Sequence, residues 1–130
     1  MVGIVIVSHS NKAAQGIKEL SIQMIQSPVQ VIDAGGMVDG DIGTDANRIK
    51  DAIEKADDGD GVVVLVDLGS AIMSTEMAIE FLDREQRERV VIADGPILEG
   101  AIAASLQASI GGTLVQVKGA AEECREVSKL

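Results

Sequence analysis

Ile4-Val5-Ile6-Val7-Ser8-His9-Ser10 sets four consecutive β-branched residues in front of a polar break. Such a run has no polar face, so it reads as a strand buried on both sides, as in a parallel sheet covered by helices. Further along the chain the same alternation recurs. From Asn11 to Gln26, Ala13, Ile17, Leu20 and Met24 fall at helical spacing, and Ser27-Pro28 stops the helix. Val29 to Ala34 reads as a second strand, closed by Gly35-Gly36. Thr44 stands where it can cap a helix whose apolar stripe is Ala46, Ile49, Ile53 and Ala56.

Asp57-Asp58-Gly59-Asp60-Gly61 is a turn and a solvated connection. It lacks the longer ligand series, ending in a glutamate, that a calcium loop requires. Val62 to Val66 is a third buried strand. Ser70 is expected to cap the helix that follows, which buries Met73, Met77 and Phe81, and Asp83 to Arg89 forms a solvated helix end. Val90 to Ala93 is the fourth strand. Gly95-Pro96 starts a helix with Leu98, Ile102, Leu106 and Ile110 four apart, and Gly111-Gly112 ends it. Thr113 then caps a last helix with Leu114, Val117, Ala121 and Cys124 on its stripe. The alternation of Val115 and Val117 also fits a short strand over 113–118; we read a helix.

Four strand–helix units with buried strands define an α/β fold. Its core is an open, mainly parallel four-stranded sheet of order 2-1-3-4 with helices on both faces. A length of 130 residues suits one domain, 1–130. Hydrophobic residues make up 46%, yet there is one Phe and no Tyr or Trp, so the core is aliphatic and base-stacking platforms are missing. The formal charge of −10 argues against nucleic acid and against anionic membranes as partners. No apolar run approaches the ~20 residues of a membrane span. The single cysteine, Cys124, has no intramolecular disulfide partner, which fits a reducing, cytoplasmic setting.

In a sheet of this order, ligands bind beyond the carboxyl ends of the strands, where the first and third strands part. Ser8-His9-Ser10, Gly35-Gly36, Asp67-Leu68-Gly69-Ser70 and Asp94-Gly95 all arrive there. His9, the only histidine, follows the first strand and Asp67 follows the third, so imidazole and carboxylate can meet. A carboxylate accepting the Nδ1 proton would leave the Nε2 lone pair outward as a nucleophile and favour the cation formed on phosphorylation. The helix starts at Ser10-Asn11 and Gly69-Ser70 would offer amides to a phosphoryl group. Plainer roles exist for each residue: a lone histidine can be structural, and Asp67 and Asp94 can cap turns. A metal site is disfavoured by one histidine without a nearby cysteine. A serine hydrolase lacks a second histidine to activate Ser8, Ser10 or Ser70. Cys124 reads as a small buried hydrophobe.

Ile4 to Ser10, Ile42-Gly43-Thr44-Asp45, Val66-Asp67-Leu68-Gly69-Ser70-Ala71 and Pro96-Ile97-Leu98-Glu99-Gly100-Ala101 together resemble the DhaM family. These are the phosphotransfer subunits of phosphoenolpyruvate-dependent dihydroxyacetone kinases, relatives of the mannose-type enzyme IIA domains. The resemblance runs to about Gly112 and is loose beyond it, and Asp94 departs from the small neutral residue expected there. It implies that His9 takes a phosphoryl group on Nε2 from the phosphocarrier HPr and passes it to ADP held in the DhaL subunit. DhaL then phosphorylates dihydroxyacetone bound in DhaK. The crevice read from the strand order has Asp67 orienting His9, and Ser10, Gly36, Gly69 and Ser70 around the phosphoryl group. The resemblance implies no metal or cofactor on this subunit, a homodimer, and a separate HPr, since fused HPr-like and enzyme I-like domains of some relatives do not fit in this length. Two alternatives stand beside it. One is a mannose-family enzyme IIA that hands the group to a sugar-specific IIB domain, although Asp67 to Ala71 looks more like DhaM. The other is a regulatory module that binds phosphorylated partners without being phosphorylated, which the placing of His9 speaks against.

Overall fold

A computed structural model describes residues 1–130. Strands β1 (Gly3–Ser8), β2 (Val31–Gly35), β3 (Val62–Val66) and β4 (Val90–Ile92) form one sheet in the order β2-β1-β3-β4. Every pairing is parallel, with Val7 opposite both Ala34 and Val66. Between the strands run α1 (Asn11–Gln23), α2 (Ala46–Ala56), α3 (Gly69–Glu80) and the short α4 (Arg84–Arg87). After β4 come α5 (Ile97–Ser109) and α6 (Leu114–Glu123), with a single 3₁₀ turn over Cys124–Glu126. Side chains of β1 alternate between two aliphatic cores: Ile4 and Ile6 face α1, α5 and α6, and Val5 and Val7 face α2 and α3. This is the doubly covered parallel sheet that the β-branched runs require. No helix is long and apolar enough to cross a membrane.

The order and the two-faced sheet agree with the sequence reading; several local assignments do not. Strand β2 starts at Val31 rather than Val29, β4 stops at Ile92, and α1 ends at Gln23 instead of Gln26. Asp45, not Thr44, caps α2 by accepting the Asn47 and Arg48 amides; the Thr44 hydroxyl is engaged with Ser74 at 2.6 Å. Ser70 is not a cap either, because α3 begins one residue before it, behind Leu68. The segment 113–118 is helix, held by a complete capping box between Thr113 and Gln116. Cys124 lies at the end of that helix and is only partly buried.

The larger correction concerns which helix faces turn inward. On α3, Met73 is 71% exposed, with Met77 and Phe81 about half exposed, while Ala71, Thr75 and Ala78 are buried. On α5 the buried set is Gly100, Ala101, Ala104, Ser105 and Ala108, and Leu98, Leu106 and Ile110 face outward. Helix α1 repeats this, burying Ala14 and Ser21 and exposing Leu20 and Met24. Small residues let these helices settle close to the sheet: a Cβ added at Gly100 would stand 3.0 Å from Leu65 Cδ1. Close approach gains contact along the whole backbone, and larger side chains at those positions would prevent it. Helix α2 fits the sequence reading, with Ile49, Ile53 and Ala56 buried and Ala46 packed at the edge of the same core.

The turn 57–61 is less solvated than its composition suggests. The Asp57 side chain is 1% exposed and paired with Arg89 at 2.9 Å. Burial alone would raise its carboxyl, but hydrogen bonds from Arg89, the Gly59 amide and Gln86 outweigh burial and hold it below the usual range. A carboxyl whose folded value is lowered contributes stability above its unfolded value of about 4, and that stability is lost as pH falls through the folded value. Stability should therefore drop on acidification below about pH 4. Asp57→Ala should cost about 2 kcal/mol at neutral pH and flatten that acid limb in urea unfolding curves. An acid limb of unchanged steepness in the variant would assign the loss to other carboxylates.

Candidate functional site: a histidine–aspartate pair at the sheet switch point

Because β1 and β3 are adjacent and parallel, their chains leave the sheet side by side. The Asp67 amide donates to the Val7 carbonyl at 3.2 Å, which carries the pairing one residue past the strand. Asp67 thereby comes to lie beside His9, as the strand order implies, and Asp67 Oδ1 is 3.0 Å from His9 Nδ1. The same carboxylate accepts three further hydrogen bonds: Ser8 Oγ at 3.0 Å and the His9 amide at 2.9 Å on Oδ2, and the Leu68 amide at 2.7 Å on Oδ1. Burial pushes the Asp67 carboxyl up, yet these bonds from His9, Ser8 and Leu68 prevail and hold it below the ordinary value. Asp67 is thus an ionised, acceptor-only group at neutral pH, so Nδ1 of a neutral His9 carries the ring proton and Nε2 the lone pair.

Backbone contacts fix the rest of the histidine. The Gly43 amide donates to the His9 carbonyl at 2.9 Å and the Gly36 amide to the Ser8 carbonyl at 3.1 Å, tying the loop after β2 to the end of β1. Gly35 can only be glycine there, since an added Cβ would stand 2.5 Å from the Ser10 carbonyl oxygen. Gly36 takes φ +70°, the left-handed region that glycine enters without cost. Ser10 caps α1 by accepting the Ala13 amide at 3.2 Å. The imidazole side chain remains 22% exposed.

On the outer side of the ring, Ser70 Oγ lies 2.6 Å from Nε2. The amides of Gly69 and Ser70 in the first turn of α3, and of Asn11 and Lys12 in the first turn of α1, make no hydrogen bond within the chain. They are the unpaired donors that every helix start leaves. Gly36 differs, because its amide is spent on Ser8. Asp94 borders a cleft together with Asp67 and Gly69 but makes no contact with the pair: its side chain is 83% exposed and bound to Arg125 at 2.8 Å, and its amide is held by Glu122. The Asp94 amide is also the main reason that the Glu122 carboxyl lies below its usual value. Nowhere do three or more His, Cys, Asp or Glu side chains converge in a way that could hold a metal ion.

Sequence reasoning missed two participants. Ser8 joins Asp67 to Ser10 by donating to the carboxylate and accepting the Ser10 amide at 3.1 Å. Its signal was its place, the last residue of β1, where an inward hydroxyl needs a partner. The Thr44–Ser74 contact joins the loop after β2 to α3, and no local pattern announces a bond across 30 positions.

Residues 3–118 match the family described as PTS system fructose IIA component, EIIA-man. The chain is 40% identical over 110 residues to the phosphoryl donor subunit DhaM of PEP-dependent dihydroxyacetone kinase 2 of Listeria innocua, covering 85% of this chain and 88% of that one. It is 37% identical over 116 residues to the phosphotransferase subunit DhaM of the PTS-dependent dihydroxyacetone kinase of Lactococcus lactis, covering 89% of each. The Escherichia coli phosphoryl donor subunit DhaM is 40% identical over 120 residues, but the chain spans only 25% of its length. Among solved structures, the protein EF1359 superposes with a TM-score of 0.84 at 35% identity over 94% of this chain and 93% of the other. The EIIA component of the phosphotransferase system of Streptococcus agalactiae, at 19% identity and a TM-score of 0.65 over 99% and 97% of the two chains, shares the fold. With the histidine–aspartate pair at the switch point of a 2-1-3-4 sheet, these likenesses show that the chain belongs to the mannose-type enzyme IIA family, among its DhaM phosphoryl donor subunits.

Proposed function

We propose that the chain is a phosphocarrier in which His9 accepts a phosphoryl group from phosphorylated HPr and passes it to ADP bound in DhaL, supporting phosphorylation of dihydroxyacetone by way of DhaK. The observation that carries this reading is the Nδ1–Asp67 contact of 3.0 Å, which leaves Nε2 as the nucleophile on the accessible side of the ring. In the proposed step the Nε2 lone pair forms a bond to phosphorus and the bond from phosphorus to the donor nitrogen breaks, its electron pair staying on the donor. The proton stays on Nδ1, and Asp67 stabilises the positive charge that the ring acquires. Ser70, with the open amides of Gly69 and of the first turn of α1 behind Ser10, supplies donors for the phosphoryl oxygens. Gly36 acts indirectly, by holding the backbone beside the site. Neither a metal nor a cofactor on this chain enters these steps. The chain works as one phosphotransferase subunit of a cytoplasmic kinase system and as a homodimer, a reading supported by the apolar outer face of α3.

Intact mass after incubation with phosphoenolpyruvate, enzyme I and HPr should rise by one phosphoryl group, lost in acid and kept in base as a phosphoramidate is. DhaL with ADP should discharge it; discharge by a IIB domain instead would favour the mannose-type alternative. His9→Ala should remain folded and take up no label, and labelling that persists would remove His9 from the site.

Asp67→Asn should slow loading by on the order of 10²-fold, because an amide can donate to Nδ1 and move the ring proton to Nε2. It should also lower the melting temperature by a few degrees, since an amide cannot accept all four hydrogen bonds of the carboxylate. A loading rate equal to the parent's, with only the melting temperature changed, would reduce Asp67 to a turn residue.

Light scattering at micromolar concentration should give the mass of two chains, and Met73→Lys combined with Met77→Lys should give that of one. A single-chain mass for the parent protein would overturn the homodimer.

A further inference from the structure

Beyond the ends of β3 and β4, on the side of Asp67 away from β1, lies an open cleft of about 250 Å³. Asp67, Leu68, Gly69 and Ile72 line it after β3, and Asp94 and Gly95 after β4. Its two carboxylates differ in what they can still bind. Each oxygen of Asp67 accepts two hydrogen bonds, so no lone pair is left for a newcomer. Asp94 accepts one, on Oδ2 from Arg125, and its Oδ1 has no partner. The backbone under Asp94 is firmly seated. Its amide donates to Glu122 at 2.9 Å, and a Cβ added at Gly95 would stand 2.5 Å from the Ala121 carbonyl oxygen. The packing of this loop on α6 therefore places the carboxylate at the rim, and Arg125 is not needed to hold it there. Arg125 itself is half exposed, and an exposed ion pair exchanges partners at little cost. Along the same cleft Leu68 and Ile72, 61% and 38% exposed, leave apolar surface uncovered.

We infer that this cleft docks an arginine of the acceptor protein, the partner that carries the nucleoside diphosphate. The incoming guanidinium replaces that of Arg125 on Asp94, and its aliphatic stem lies along Leu68 and Ile72. The inference rests on the proposed discharge of His9 to such a partner. Arg125 marks the chemistry, because a guanidinium already fits this carboxylate at 2.8 Å. An arginine suits the cleft better than a lysine: its fork can engage the free Oδ1 as well, and its stem covers apolar surface. Charge selects the acceptor over the donor. During loading only the donor brings a phosphoryl anion to the contact. During discharge the phosphoryl anion sits on a chain whose own formal charge is −10, and a diphosphate moves toward it. A cation that the acceptor sets on Asp94 covers a negative charge beside the site at the stage where anions face each other. Arg125 then acts as a competitor, so the two residues of one ion pair have opposite effects on docking.

The test compares the parent, Asp94→Asn, Arg125→Ala and the double variant, each loaded with phosphoramidate, a small donor that needs no docking surface. Loading should be equal in all four. The second-order rate constant of discharge by DhaL with ADP should fall about 10-fold in Asp94→Asn, with a flatter dependence on salt. It should rise in Arg125→Ala, and the double variant should match Asp94→Asn alone. A pair that merely braces the loop against α6 would make both single variants lose rate and melting temperature together. Slower discharge in Arg125→Ala would therefore overturn the inference, and so would an effect of Asp94→Asn on loading by phosphorylated HPr in place of discharge. A titration of Arg125→Ala with N-acetyl-arginine amide reads the cleft without any partner. The ¹⁵N amide signals of Leu68 and Gly95 should shift, and should stay in place once Asp94→Asn is added; no shift in Arg125→Ala would overturn the guanidinium site. If those signals shift and DhaL with ADP leaves the phosphorylated parent intact, the proposed acceptor fails and the guanidinium site is upheld.

Discussion

The parallel register that sets Val7 opposite Val66 determines where two chains leave the sheet, and the site depends on that pairing. One residue beyond it the Asp67 amide still bonds to the Val7 carbonyl, and two residues beyond Val7 comes His9. Parallel neighbours end at the same edge, so the residues that follow them meet without any long loop. An antiparallel neighbour would have carried Asp67 to the opposite end. The buried aliphatic runs of β1 and β3 stabilise this pairing through two cores, which makes the site a by-product of sheet packing.

Once there, Asp67 works as an organising centre. Its two oxygens collect hydrogen bonds from a side chain on either side of the first strand's end, Ser8 and His9, and from two backbone amides. Each bond favours the ionised carboxylate, and the ionised carboxylate in turn selects the Nδ1–H form of the imidazole. A partly buried charge with four donors holds its geometry, so the ring is presented with one nitrogen fixed and the other facing the helix starts. Little conformational freedom is left to the imidazole.

The helices carry exposed apolar side chains that the core does not use. Small residues of α1, α3 and α5 lie against the sheet, and Leu20, Met73, Met77, Phe81 and Leu106 are left outside. In a chain with one aromatic residue and a formal charge of −10, these are among the large apolar side chains that an otherwise strongly acidic sequence leaves exposed.

Much of the arrangement was readable from residue order. Unbroken β-branched runs can be satisfied only by burial on both faces, so the parallel sheet, its order and the meeting of His9 with Asp67 follow from pattern and chain connectivity. The Ser10 and Thr113 caps were legible too, because capping is decided within a few residues. The inward faces of α1, α3 and α5 were not. Periodicity cannot tell a stripe of leucine and methionine from a stripe of alanine on another side of the same helix, and how closely a helix approaches its sheet decides which one is buried. Nor did the sequence indicate that Ser70 reaches back to Nε2, that Asp94 turns away to Arg125, or that Asp57 sinks beneath Arg89. Each depends on side-chain positions brought together across tens of residues, which only the folded chain specifies.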